Sequence, residues 1–156
     1  ALGGVIDANC AYLLIRGLKT FPMRVKRQNQ STLEIARYLE NHPKVEKVYY
    51  PFLESHRHHN IAKEQMAGGG GVVSFDIKGD MDSAKKFIDS LKMLYIAPSL
   101  GGVETLVTHP ALVSYYDYTR ERRYELGITD TLFRLAVGIE EIGDIIEDLE
   151  RGFAEI

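Results

Sequence analysis

An arginine stands in the middle of one of the most apolar stretches of the sequence. Arg134 lies within residues 132–137, where every neighbour is apolar and the run predicts a buried strand. Arginine is rarely buried without a partner, because removing its charge from water costs on the order of several kcal/mol. Two interpretations are open: the guanidinium forms a structural ion pair with an internal Asp or Glu, or it grips a ligand carboxylate or phosphate through two parallel hydrogen bonds.

A second candidate is a hydroxyl followed by paired glycines, in Pro98-Ser99-Leu100-Gly101-Gly102. Glycine permits positive φ angles and lets the backbone approach a ligand closely. The residues alone leave open whether this segment is a plain turn between strands or a ligand-binding loop. It is not the nucleophile turn of a hydrolase, since the pattern Gly-x-Ser-x-Gly is absent.

Three further segments contain residue types that occur in binding sites, and each has a plainer interpretation. Residues 68–71 are four glycines without the Gly-Lys-Ser/Thr of a phosphate loop, which favours a flexible turn. Residues 56–59 contain three histidines without cysteine or an organised acidic partner, which favours a solvated loop over a metal site. Residues 115–123 combine tyrosines with arginines, and a packing or subunit-contact segment is favoured over a surface that stacks bases.

Composition limits the classes of function. The chain has 156 residues, 45% of them hydrophobic and 26% charged, which is typical of one globular domain. The net charge of -3 argues against nucleic acid as a partner. Cys10 is the sole cysteine, so an internal disulfide and a multi-cysteine zinc site are excluded. No apolar run approaches the roughly 18–20 residues that span a bilayer, and no membrane partner is expected.

Hydrophobic periodicity predicts the elements that hold these residues. A long helix is predicted over residues 8–39, bent near Pro22, and Ser31-Thr32-Leu33-Glu34 matches a capping box that would mark a new helix start. Strands are predicted at residues 45–50, 71–77, 95–97, 104–107 and 132–137, and helices at residues 60–66, 81–91, 120–126 and 142–153. The order predicts an α/β sandwich in which helices pack on one sheet of four or five strands.

Five segments occur in an order that resembles a known family. They are residues 11–20, 47–51, 70–75, 99–104 and 134–140, with the sequences AYLLIRGLKT, KVYYP, GGVVSF, SLGGVE and RLAVGIE. Across essentially the whole chain, they resemble the C-terminal part of the Cys/Met-metabolism family of pyridoxal-phosphate (PLP) enzymes. This family includes cystathionine γ-synthases, cystathionine γ- and β-lyases, methionine γ-lyases and O-acylhomoserine sulfhydrylases. Residues 72–80 and 95–99 are most similar to plant-type cystathionine γ-synthase.

The resemblance implies the smaller C-terminal domain of a fold-type-I PLP enzyme. Such a domain has a largely antiparallel sheet of four to five strands, covered by helices and preceded by a long helix. Residues 1–41 would join the α/β domain, residues 42–156, to an N-terminal domain that holds PLP on its Schiff-base lysine. None of the nine lysines here lies in the family's Ser-x-Thr-Lys context. We therefore expect no catalytic or cofactor-binding residue in this chain, no activity of the chain alone, and a homotetramer for the full-length enzyme.

The same resemblance assigns substrate binding to Arg134, Ser99 and Leu100. Arg134 matches the arginine that binds the substrate carboxylate, and Ser99 and Leu100 belong to the Ser-Leu-Gly-Gly motif. The implied reaction replaces the γ-substituent of an activated homoserine with the thiol of cysteine. The alternatives are γ-elimination, as in cystathionine or methionine γ-lyases, and a stand-alone binding domain without catalysis. The expected compartment is the cytoplasm or an organelle such as a plastid.

Overall fold

A five-stranded sheet organises the chain, which the computed structural model describes over residues 4–156. The strands are β1 (Val45–Tyr49), β2 (Val72–Ile77), β3 (Tyr95–Ile96), β4 (Leu106–Thr108) and β5 (Leu132–Ala136). The helices are α1 (Ala8–Leu18), α2 (Phe21–Glu40), α3 (His59–Gln65), α4 (Met81–Asp89), α5 (Pro110–Val113), α6 (Arg120–Glu125) and α7 (Ile142–Ala154). This architecture confirms the predicted α/β fold with one sheet covered by helices.

The sheet has the strand order β1-β2-β5-β4-β3 and is largely antiparallel, as predicted. Strand β5 lies at its centre and is antiparallel to both neighbours, β2 and β4. Only the edge pair β3–β4 is parallel, which makes the sheet mixed. Residues 134–136 of β5 therefore have a partner on both sides, and Arg134 stands opposite Ser74 on β2 and Thr108 on β4.

The core occupies one face of this sheet. Phe133 and Leu135 of β5 are fully buried there, and Phe133 packs against Phe75 of β2 and Phe87 of α4. Phe87 also contacts Phe153 of α7, so helices and sheet share one aromatic cluster. Because side chains alternate along a strand, Arg134 projects from the opposite face. The core thus holds β5 rigidly while leaving its arginine outside the apolar interior.

The first helical region consists of two helices rather than the single bent helix expected from the periodicity. The chain leaves helical hydrogen bonding at Lys19 and Thr20, and Pro22 lies in the first turn of α2, where its missing N–H costs nothing. Arg24 Nη1 donates to Gly17 O at 3.1 Å and to Thr20 Oγ1 at 2.6 Å across the break. The prediction of one continuous helix is therefore wrong, although both parts of the predicted segment are helical.

The capping-box match at Ser31 does not mark a helix start, because α2 continues through it. Ser31 and Thr32 are fully buried inside α2, and Thr32 Oγ1 donates to the Gln28 carbonyl one turn earlier at 2.6 Å. The remaining predicted elements are present, with ends that differ by one to a few residues. The short helix α5 was not predicted, because four residues are too few for a periodic pattern.

Helix α1 has no buried residue in the described chain. Leu14, Ile15 and Leu18 are each more than half exposed, and Phe21 at the start of α2 is also exposed. By contrast, Ile35, Ala36 and Leu39 in the second half of α2 are fully buried in the core. Helix α1 therefore exposes apolar surface, whereas the second half of α2 packs in the α/β core.

His109 is a buried imidazole that makes stability depend on pH. Its Nε2 lies 2.9 Å from the Asp130 carbonyl oxygen, which can only accept, so Nε2 donates and Nδ1 is unprotonated. Nδ1 is buried without a partner among residues 4–156. Burial lowers the pKa of His109, and the nearby Arg123 guanidinium lowers it further, against the opposing effect of the Asp130 hydrogen bond.

We expect the free energy of unfolding to fall as the pH drops below about 6.5, where unfolded histidine takes up a proton. The native state stays neutral at His109 until lower pH, so this site contributes a slope of at most about 1.4 kcal/mol per pH unit. Urea unfolding at several pH values between 5 and 8 measures the slope. His109→Gln should reduce it. An equal slope in His109→Gln and wild type would contradict this assignment.

Candidate functional site

Arg134 lies on β5, the central strand of the sheet. Its guanidinium contacts the loop at residues 98–105, which follows β3 and is called the Ser99 loop. Nη2 donates to the Pro98 carbonyl at 2.7 Å and to the Ser99 carbonyl at 2.9 Å, and lies 3.4 Å from Thr108 Oγ1. The side chain is half-buried between two strands. The structure therefore brings together the two candidates that the sequence singled out separately.

The guanidinium has no acidic partner. No Asp or Glu oxygen lies within 4.0 Å of it in the part of the chain that the structure describes, so the structural ion pair is absent. Nε is buried without a hydrogen-bond partner, and Nη1 donates to none of the described residues. An unpaired buried donor costs about 1–3 kcal/mol, and such groups call for an explanation. The Nε and Nη1 donors of this guanidinium therefore suit the binding of an anion such as a carboxylate.

The Ser99 loop has the shape that its glycines predict. Gly101 has φ +79°, a left-handed conformation that suits glycine. Ser99 and Leu100 are both exposed, and the Ser99 hydroxyl makes no hydrogen bond within residues 4–156. The backbone of the loop is thus held by Arg134, while its side chains remain available to a ligand.

Two further contacts fix this loop, and sequence analysis missed both. Gln28 of α2 is buried and donates from Nε2 to the Gly102 carbonyl at 2.8 Å. Thr108 Oγ1 donates to the Ala97 carbonyl just before the loop. The signal for Gln28 was a polar residue among the apolar positions of α2, but its acceptor lies 74 residues away and cannot be identified from spacing.

The glycine run at residues 68–71 is a turn before β2, as predicted. Gly70 has φ +86°. Its N–H donates to Asn29 Oδ1 at 2.7 Å, and its carbonyl accepts from the Tyr50 hydroxyl at 3.0 Å. Because protein groups already occupy these polar atoms, the turn does not present them to a phosphate.

The histidine and tyrosine-arginine segments have structural contacts. No group of three or more His, Cys, Asp or Glu side chains is arranged to hold a metal ion among the described residues. Arg120 and Arg123 form ion pairs with Asp130 at 2.7 and 2.8 Å, which occupies two of the arginines that could have contacted phosphates.

No helix in the described part of the chain is long and apolar enough to cross a membrane.

The geometry defines an α/β domain with a candidate anion-binding site on its sheet. A planar guanidinium on a rigid strand, next to an exposed hydroxyl and a glycine-containing loop, can bind a carboxylate and orient the rest of a small molecule. The comparisons agree with this class. The Cys/Met metabolism PLP-dependent enzyme family matches residues 1–154, so the chain belongs to this PLP-dependent family.

Individual relatives include both synthases and lyases. Cystathionine gamma-synthase 1, chloroplastic, from Arabidopsis thaliana is 51% identical over 148 residues, which are 95% of this chain and 26% of the relative. L-methionine gamma-lyase from Fusobacterium nucleatum subsp. polymorphum is 46% identical over 154 residues, 99% of this chain and 39% of the relative. The chain thus spans between about a quarter and two fifths of the relatives it matches.

A solved structure shows the same fold. The crystal structure of cystathionine gamma-lyase from Lactobacillus plantarum complexed with L-serine matches with a TM-score of 0.90 and 37% identity. The match covers 99% of this chain and 40% of that chain. The resemblance read from the five sequence segments is therefore confirmed at the level of family and fold.

Proposed function

We propose that this chain is the C-terminal, substrate-binding domain of a PLP-dependent cystathionine γ-synthase. The single observation that carries the proposal is the guanidinium of Arg134, which lies against the Ser99 loop without any acidic partner in residues 4–156. Residues 1–41 join residues 42–156 to a larger N-terminal domain, and the exposed apolar side of α1 supports packing against it.

Each site residue has a distinct role in this proposal. Arg134 binds the α-carboxylate of the amino-acid substrate through its free donors. Ser99 offers its unpaired hydroxyl beside that carboxylate. Leu100, which is 56% exposed, provides an apolar contact for the substrate side chain. A carboxylate held at a fixed angle fixes the orientation of the bonds at the substrate Cα, which lowers the entropic cost of reaction.

PLP supplies an electron sink for carbanion chemistry at the substrate when it is bound. The donor set at Arg134 fits the carboxylate of an amino acid. Eight of the nine lysines are exposed, and none donates a hydrogen bond to Arg134 or to residues 98–102. Lys44, the remaining one, donates to the Phe153 and Ile156 carbonyls at 2.5 and 2.6 Å. We propose that the residues that hold PLP lie in the N-terminal domain, so that this chain alone is inactive.

Sequence similarity favours a synthase over a lyase. The cystathionine gamma-synthases of Arabidopsis thaliana and Nicotiana tabacum are each 51% identical to this chain over 148 residues, compared with 46–47% over 154 residues for the L-methionine gamma-lyases of Fusobacterium nucleatum and 45% for cystathionine gamma-lyase of Bacillus subtilis. The proposed reaction joins the cysteine sulfur to the γ-carbon of an activated homoserine, breaks the bond between that carbon and its ester oxygen, and releases the activating group with that oxygen and the thiol proton as a free acid. The enzyme is a homotetramer in the cytoplasm or a plastid, and the word chloroplastic in the name of the Arabidopsis relative supports the second compartment.

The test measures products of the full-length, PLP-loaded enzyme. We expect cystathionine to form from cysteine and an O-acylated homoserine much faster than 2-oxobutyrate forms from cystathionine or methionine. Faster 2-oxobutyrate formation would replace the synthase with the γ-lyase function. A protein without either activity that still binds amino acids would support the non-catalytic binding domain.

A further inference from the structure

We propose that Glu140 is a positioning residue that holds the far end of the Ser99 loop. The inference rests on the proposed function, because the loop matters only if it binds substrate. Arg134 fixes the start of the loop through the carbonyls of Pro98 and Ser99. Glu140, which follows β5 by four residues, fixes its end through Thr105. Both ends of the loop are therefore attached to the same strand and its extension.

The contact between Glu140 and Thr105 uses both carboxylate oxygens. The Thr105 N–H donates to Oε1 at 2.6 Å, and the Thr105 hydroxyl donates to Oε2 at 2.7 Å. Thr105 is 1% exposed, so these bonds are protected from water. Charge-assisted bonds of this length are stronger than neutral ones. The arrangement therefore fixes the position of Thr105 with respect to the chain that leaves β5.

The backbone between β5 and Glu140 fits closely against the same segment. The Gly138 N–H donates to Thr105 Oγ1 at 2.9 Å, and the Ile139 N–H donates to the Val103 carbonyl at 2.9 Å. A Cβ atom at Gly138 would collide with the Val103 carbonyl oxygen and with Glu140 Oε2. Only glycine leaves space for this approach, which indicates that the separation between loop and strand is tightly set.

A glutamine at position 140 weakens the contact. Its carbonyl oxygen can accept from the Thr105 N–H while its amide nitrogen donates to Thr105 Oγ1, which still accepts from the Gly138 N–H. The Thr105 hydroxyl proton then loses its carboxylate acceptor, and the bonds to residue 140 lose the negative charge that strengthens them. Glu140→Gln therefore replaces two charge-assisted hydrogen bonds with neutral ones, with almost no change in volume.

The first experiment measures hydrogen exchange of peptides that cover residues 98–105 in the full-length protein without substrate. Glu140→Gln should increase exchange there by about tenfold, and Thr105→Val should have a similar effect. Thr105→Ser, which keeps the hydroxyl, should exchange like wild type. The matched control is Glu141→Gln, because Glu141 is exposed and pairs with Arg27 instead of the loop. Unchanged exchange in Glu140→Gln would overturn the inference.

The second experiment separates positioning from general stability. In the PLP-loaded enzyme, Glu140→Gln should raise KM for the amino-acid substrate by about 10- to 100-fold, because small misplacement of binding groups is costly. Its kcat should change less, and Glu141→Gln should leave both parameters unchanged. If the wild-type enzyme is active and Glu140→Gln has an unchanged KM, the positioning role alone is overturned. If the wild type is inactive but the loop exchanges faster in Glu140→Gln, the proposed function is overturned and the loop contact stands.

Discussion

Replacing Arg134 with lysine is expected to lower kcat/KM for the amino-acid substrate of the full-length enzyme by about 100-fold or more. Lysine keeps the positive charge but presents one compact ammonium, which cannot donate two parallel hydrogen bonds to a carboxylate. Hydrogen bonds to charged groups contribute about 1.5–3 kcal/mol each, and about 1.4 kcal/mol corresponds to a factor of ten. Most of the loss should be in KM, because the carboxylate does not change during the reaction.

The control for this prediction is Arg37→Lys. Arg37 is exposed on α2 and forms no ion pair among the described residues, so the same chemical change there should leave kcat and KM within twofold of wild type. Thermal unfolding of Arg134→Lys should remain within a few degrees of wild type, because the Pro98 and Ser99 carbonyls stay accessible to water. A KM unchanged in Arg134→Lys would mean that the guanidinium does not bind the carboxylate.

The sequence could predict those parts of the site in which a residue differs in chemical type from its immediate neighbours. Arg134 was identifiable because a cation interrupts an apolar strand, and the Ser99 loop because glycines follow a hydroxyl. Their proximity was not encoded in spacing, since 35 residues separate them. Arg134 and Ser99 lie close together because β5 is the central strand and because the Ser99 loop follows β3, which pairs in parallel with β4, the neighbour of β5.

The parts that could not be predicted depend on long-range contacts between polar residues. Gln28, Thr105 and Glu140 resemble ordinary helix or loop residues in the sequence, and their roles come from partners 74 and 35 residues away. The capping-box match at Ser31 has no structural counterpart for a related reason. A capping-box pattern competes with the burial of its hydroxyl in the core, and tertiary packing prevailed over the local signal. The break between α1 and α2, by contrast, follows from Pro22, which the sequence did mark.

Asp148 has the largest predicted effect on stability. Its carboxylate is 2% exposed and accepts from the backbone N–H groups of Lys92, Met93 and Leu94 at 2.9–3.1 Å, and from Arg151 at 2.9 Å. Burial raises the pKa of Asp148, but these donors lower it by more, so the pKa lies below its usual value. The turn held by this carboxylate leads directly into β3 and the Ser99 loop.

We expect Asp148→Ala to lower the free energy of unfolding by about 3–5 kcal/mol, because it leaves three backbone N–H groups, that of buried Leu94 among them, without an acceptor and leaves Arg151 without its buried partner. Asp148→Asn keeps one acceptor oxygen and should cost about half as much. Urea unfolding near pH 7 measures both changes. Because the folded pKa is lowered, the contribution of the carboxylate is present above the unfolded pKa of about 4 and is lost as the pH falls through the folded pKa.

Asp144→Ala provides the matched control on the same helix. Asp144 is exposed in the first turn of α7 and makes no side-chain hydrogen bond among residues 4–156, so only its interaction with the helix dipole is lost. That loss should stay below about 1 kcal/mol. If Asp148→Ala were no less stable than Asp144→Ala, the three backbone bonds would not be what holds the turn. If instead Asp148→Ala failed to fold, Asp148→Asn would still measure the contribution of the lost oxygen and of the charge.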